Sequence, residues 1–173
     1  MATWYMLTLV GEDRPGIVAQ VSQALYQGDC LLGEASMMRL GGNFTIMLMV
    51  SSQQNDNHIR QLLQPVAEKL TLRFHIDPIE GKLHQHHLPD VQITVHGADR
   101  AGIVAQVTQA ATNAGLDILD LESDVAGTEQ QPIYIMQIAG IATQGIDKIQ
   151  AALSPLEQQG IDVKVIAFDT MLG

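Results

Sequence analysis

Apolar residues recur at two intervals along this chain, every second position and every third or fourth, and the two intervals alternate in the same order in both halves. "VQITVH", from Val91, sets Val91, Ile93 and Val95 on one face against Gln92, Thr94 and His96 on the other, the signature of a half-buried strand. Eighty-six residues earlier, Tyr5, Leu7 and Leu9 repeat that face. A turn follows, Gly11 to Asp13 or Gly97 to Asp99, and then a helical stripe of Ile17, Val18, Val21, Ala24 and Leu25, or Ile103, Val104, Val107, Ala110 and Ala111. The spacing predicts that the helix stops near Gly28 or Gly115 and that an extended segment follows, Leu32 to Leu40 or Leu119 to Val125. The turn "LGGN" then leads into "FTIMLMV", with Phe44, Ile46, Leu48 and Val50 on one face, which reads as a hairpin. The second half has a longer turn, "AGTEQQP".

A second helix carries Ile59, Leu62, Leu63, Val66 and Leu70, and its counterpart Ile146, Ile149, Leu153 and Leu156. Pro65 and Pro155 fall inside these helices and are expected to kink or shorten them, since proline removes a backbone donor. "LRFHI" and "IDVKVIAF" close the two halves as strands. Each half therefore predicts β-α-β-β-α-β, an α+β, ferredoxin-like unit whose antiparallel sheet is covered on one face by two helices. The expected organisation is a first lobe over residues 1–80, a polar linker "EGKLHQHHLPD" centred on 81–89, and a second lobe over 90–173, the lobes joined side by side.

The repeat is close. "GEDRPGIVAQVSQAL", from Gly11, and "GADRAGIVAQVTQAA", from Gly97, agree at eleven of fifteen positions. A helix start offers unpaired N–H groups and the positive end of the helix dipole, which suit a carboxylate. Gly16 and Gly102 are placed at the first helical turn, where a missing Cβ lets a ligand approach and where alanine would fit. Asp13 and Asp99 are positioned to cap the helices or to accept from an ammonium group. A free amino acid is complementary to that set. The same residues also make an ordinary tight turn with a capping aspartate, left behind by duplication.

"DRPGIVAQVSQAL", followed by "GDCLLGEASMMRLGGNFTIMLMVSS", resembles the ACT domain, a small ligand-binding module of βαββαβ fold. The whole chain is similar to the glycine cleavage system transcriptional repressor family, which consists of two tandem ACT domains. The resemblance implies a cytoplasmic amino-acid sensor without catalysis or cofactor, with glycine as ligand and a DNA-binding transcriptional activator as protein partner. It further implies that sheets join edge to edge through their second strands, with the ligand at the seam. One wall of the seam would be Asp13, Arg14 and Gly16, or Asp99, Arg100 and Gly102; the other matches an asparagine whose places here are held by Asp117 and Leu31. Leucine makes no hydrogen bond, so the site using Asp13 and Asp117 is expected to be the tighter. The competing expectation is a regulatory or structural subunit of a metabolic enzyme with no small ligand of its own.

Charge and composition narrow the partners. A net charge of -10, with nine basic residues scattered along the chain, excludes a phosphate-gripping stripe, so direct nucleic-acid binding is not expected. No run reaches the roughly 20 apolar residues that span a bilayer, and no signal peptide is read at the start. Lobes this small are expected to share an interface or form a homodimer. Cys30 is the single cysteine, and neither it nor Ser36 has a recognisable His and acid pair. His84, His86 and His87 in the linker are expected to be solvated rather than metal-bound, and Asp117, Asp120, Glu122 and Asp124 to form a solvated strand edge. Met37, Met38, Met47 and Met49 cluster on the first hairpin, where they either form a partner surface or are buried between the lobes.

Overall fold

The alternation at Tyr5, Leu7 and Leu9 becomes the inward face of β1 (Thr3–Glu12), and all three side chains are buried. In this computed structural model, which describes residues 2–80, 87–98, 101–128 and 130–168, the chain divides into two units, Met1–Gln85 and His86–Gly173. The first continues through α1 (Ile17–Gln27), β2 (Leu31–Leu40), β3 (Asn43–Ser52), α2 (Asp56–Leu70) and β4 (Arg73–Pro78). Its sheet runs β2-β3-β1-β4, with every neighbouring pair antiparallel. Phe44, Ile46, Leu48 and Val50 of β3 join the inward face of β1, and Ile17, Val21 and Leu25 of α1 close over it with Ile59, Leu63, Ala67 and Leu70 of α2. Each fully buried Leu, Ile or Val contributes about 1.5–3 kcal/mol relative to an exposed one, so this face is what holds the helices in place.

The second unit repeats the plan with β5 (Val91–Ala98), α3 (Ile103–Asn113), β6 (Leu116–Thr128), β7 (Gln131–Ala142), α4 (Ile146–Leu153), a 3-10 segment (Ser154–Gln159) and β8 (Ile161–Ala167). Its sheet order is β6-β7-β5-β8. Val91, Ile93, Val95, Met136 and Ile138 face Ile103, Val107, Ala111, Ile149 and Leu153 in a core of its own. Two ferredoxin-like βαββαβ lobes are therefore present, as the periodicities predict.

Both hairpins are tight, which corrects the second. Leu40 pairs with Asn43 across Gly41 and Gly42, whose φ angles of 56° and 75° are those of the primed turn that matches strand twist. In the second lobe pairing continues to Thr128 and Gln131, through residues that read as a loop. Pro132 sits opposite Gly127 in this outer stretch of the hairpin.

The methionines divide between faces. Met47 and Met49 point away from the helices, Met47 half-exposed and Met49 buried; Gly33 lets the Trp4 ring come so near that a Cβ there would lie 2.8 Å from it. Met37 and Met38, on edge strand β2, stay exposed.

The two prolines behave differently. Pro155 opens the 3-10 segment that follows α4, whereas α2 runs unbroken through Pro65. Asn55 starts α2 by accepting the His58 N–H at 3.3 Å, and the four buried residues of its inner face hold the helix across the lost hydrogen bond. Pro65 is exposed, so its cost is not repaid by packing. Pro65→Ala restores a donor to the Gln61 carbonyl and is expected to stabilise the protein by about 1–2 kcal/mol, after the smaller unfolded-state benefit of proline is lost. Urea denaturation checks this, and a lowered midpoint would contradict it.

Candidate functional site

At the end of β1 the chain must reverse onto the helix layer, and it does so in four residues. The Asp13 N–H donates to the Gly42 carbonyl at 3.0 Å, which ties the turn to the tip of the β2–β3 hairpin. The Asp13 carboxylate Oδ2 accepts from Arg39 Nε at 3.1 Å. Arg14 turns back onto Glu12, Nη2 to Oε2 at 2.7 Å, and that hydrogen bond and charge hold the Glu12 carboxyl below its ordinary range. Gly16 then takes φ 85° and ψ 6°, and its carbonyl accepts the Gln20 N–H at 3.0 Å, the first bond of α1. Lys69 of α2 donates to Gln20 Oε1 at 2.8 Å beside this start.

Two expectations are corrected here. Asp13 does not cap α1: no side chain does, because its carboxylate is turned toward Arg39. Gly16 and Gly102 are not in the first helical turn but precede it, both left-handed, Gly102 with φ 90°. A Cβ on Gly16 would meet only Gln20 Nε2, at 3.6 Å, and one on Gly102 nothing within 4 Å. Space is open at both helix starts, and the backbone conformation is what demands glycine.

The second lobe reproduces the helix start, with the Gln106 N–H on the Gly102 carbonyl at 2.9 Å and no side-chain cap among the described residues. Asp99 and Arg100 lie outside the described residues. Arg39 sits opposite Phe44, itself opposite Gly11; the same row in the second lobe is Val125, Tyr134 and Gly97. The second lobe therefore has valine in the place of Arg39.

Leu31 and Asp117 are not brought to the turns of their own lobes. Leu31 opens β2 opposite Ser51, at the far end of the sheet from Asp13, and is 64% exposed. Asp117, opposite Ile141 near the start of β6, is likewise exposed and lies far along the strand from Val125. What the first lobe does gather at Asp13 is Arg39 and Gly42, neither of which the sequence singled out. Only the register of the tight hairpin, with Leu40 on Asn43, would have placed them there.

The ACT-domain sequence profile matches residues 5–77 and 90–166, one match in each lobe. The chain belongs to the ACT-domain family. Among solved structures, a protein of unknown function from Galdieria sulphuraria superposes with a TM-score of 0.77 at 23% identity, covering 96% of this chain and 99% of that one. A "putative glycine cleavage system transcriptional repressor" superposes with a TM-score of 0.71 at 19% identity, over the same 96% and 99%. Both are similar to this chain in fold. No curated protein sequence matches.

Cys30 is buried, which pushes its thiol pKa up, away from reactivity. Among the described residues no three His, Cys, Asp or Glu side chains converge as metal ligands; His84 and His86 lie outside those residues, and Asp120, Glu122 and Asp124 point outward along β6. Two open grooves, of about 370 Å³ between α4 and β8 and about 500 Å³ between α2 and β4, are lined by none of the candidate ligand-binding residues. No helix among the described residues is long and apolar enough to cross a membrane.

The left-handed glycines give a direct test. Gly16→Ala and Gly102→Ala are each expected to cost about 1–2 kcal/mol, because the new Cβ meets the neighbouring carbonyl rather than a crowded site. Urea midpoints measure this, and an unchanged midpoint in both would contradict the conformation.

Proposed function

We propose that this tandem ACT protein is a regulator rather than an enzyme, binding a small amino acid at its β1–α1 turns and passing occupancy on to a protein partner. The observation that carries the proposal is the uncapped start of α1 beside the Asp13 carboxylate. Free N–H groups on the first turn suit a ligand carboxylate, and an adjacent aspartate suits its ammonium group. Asp13, Arg14 and Gly16, with Asp99, Arg100 and Gly102 as their counterparts, are the residues assigned to this role. At the starts of β2 and β6, Leu31 and Asp117 are the other positions assigned by resemblance, and of the two only the carboxylate can serve an ammonium.

Glycine as ligand and a DNA-binding activator as partner follow from the same resemblance. Coupling requires only that the ligand favour one arrangement of the protein over another, since equal affinity for both would transmit nothing. A second reading, a regulatory subunit with no ligand of its own, is favoured by one observation: Asp13 already has a cationic partner in Arg39.

Thermal denaturation in the presence of each of the twenty amino acids separates the two readings. A ligand at a hundred times its Kd stabilises by about 2.7 kcal/mol, a shift of several degrees. One or a few small amino acids are expected to give it; no shift with any would leave the ligand-free reading. With a net charge of -10, the purified protein is expected not to retard promoter DNA by itself in a gel-shift assay at moderate salt. A sequence-selective shift without a partner would overturn the partner-mediated mechanism.

A further inference from the structure

The Arg39–Asp13 ion pair is unexplained by the fold. Its side chains are 65% and 29% exposed, and a surface pair of this kind adds little to stability. The backbone nevertheless holds the two groups together. Arg39 lies on the helix-side row with Phe44 and Gly11, at the end of the sheet where β1 turns toward α1. A second contact, the Asp13 N–H on the Gly42 carbonyl at 3.0 Å, ties the hairpin tip to the turn.

The contact runs from Arg39 Nε to Asp13 Oδ2 and leaves both groups with unused capacity. A guanidinium has five donors, and a carboxylate has two oxygens. Among the described residues no other side chain pairs with either. The result is a cation and an anion about 3.1 Å apart, each with a free side. That arrangement is complementary to a molecule carrying an ammonium and a carboxylate on a single carbon.

We infer that Arg39 is the residue that selects for a free carboxylate: in the first lobe the ligand's ammonium binds Asp13 Oδ1, and its carboxylate presents one oxygen to the N–H groups of the α1 start and the other to the Arg39 Nη groups. The ligand class is the zwitterionic α-amino acid, and the corresponding amides and amines are rejected. The inference rests on the amino-acid reading above and adds to it a residue outside the β1–α1 turn. It also separates the lobes, because Val125 occupies the Arg39 position of the second lobe and offers no cation.

Calorimetry with glycine and glycinamide tests this, or with whichever of the other nineteen amino acids is bound and its primary amide. Wild-type protein is expected to prefer acid over amide. Arg39→Gln should weaken binding of the acid about ten- to a hundredfold, as expected for loss of a charge-assisted hydrogen bond, and leave the amide unchanged. Arg39→Lys keeps the charge and should retain most of the preference. An unchanged melting temperature would show that either variant is folded. Equal acid-over-amide preference in wild type and Arg39→Gln would overturn the inference while leaving amino-acid binding intact. No binding of any amino acid by wild type would overturn the amino-acid reading, and this inference with it.

Discussion

A glycine in the left-handed conformation stands between strand and helix in each lobe, and the rest of each lobe depends on it. β1 delivers the chain in the plane of the sheet, and α1 must start above that plane with Ile17 already buried. Gly16 makes the change of direction in one residue, and Gly102 does so in the second lobe. Any other residue would pay for the left-handed φ at every moment of the folded state. The same geometry leaves the start of α1 without a side-chain cap.

Packing explains why the constraint is met twice. Each lobe buries one face of a four-stranded sheet beneath two helices. The lobes nevertheless differ where the turn meets the hairpin. In the first, Arg39 crosses to Asp13; in the second, valine stands in that row. Duplication preserved the glycine that leads into the helix, while the charge in the neighbouring row diverged.

Much of this was legible in the sequence because it rests on periodicity. The period-two face of Val91, Ile93 and Val95 and the helical stripe of Ile17, Val21 and Leu25 are all buried as read, whereas Val18 and Val104, on the flank of the stripe, remain exposed. Family membership was legible for the same reason, in the repeated β1–turn–α1 segment. Three things were not. Backbone conformation at Gly16 leaves no trace in a hydrophobic pattern, since a glycine inside a helix and one preceding it are written alike. Polar composition hid the outer part of the β6–β7 hairpin, whose pairing comes from main-chain hydrogen bonds. Arg39 could be found only through register, because a one-residue slip of β2 would turn it to the opposite face.

The central claim is that an amino acid binds at the start of α1. An amide-resolved NMR titration of the uniformly labelled protein with the amino acid that stabilises it most tests this directly. Saturable shifts concentrated at the amides of Asp13, Ile17, Val18 and Ala19 are the predicted result. Saturable shifts confined to the groove between α2 and β4, with the α1 amides unmoved, would contradict it.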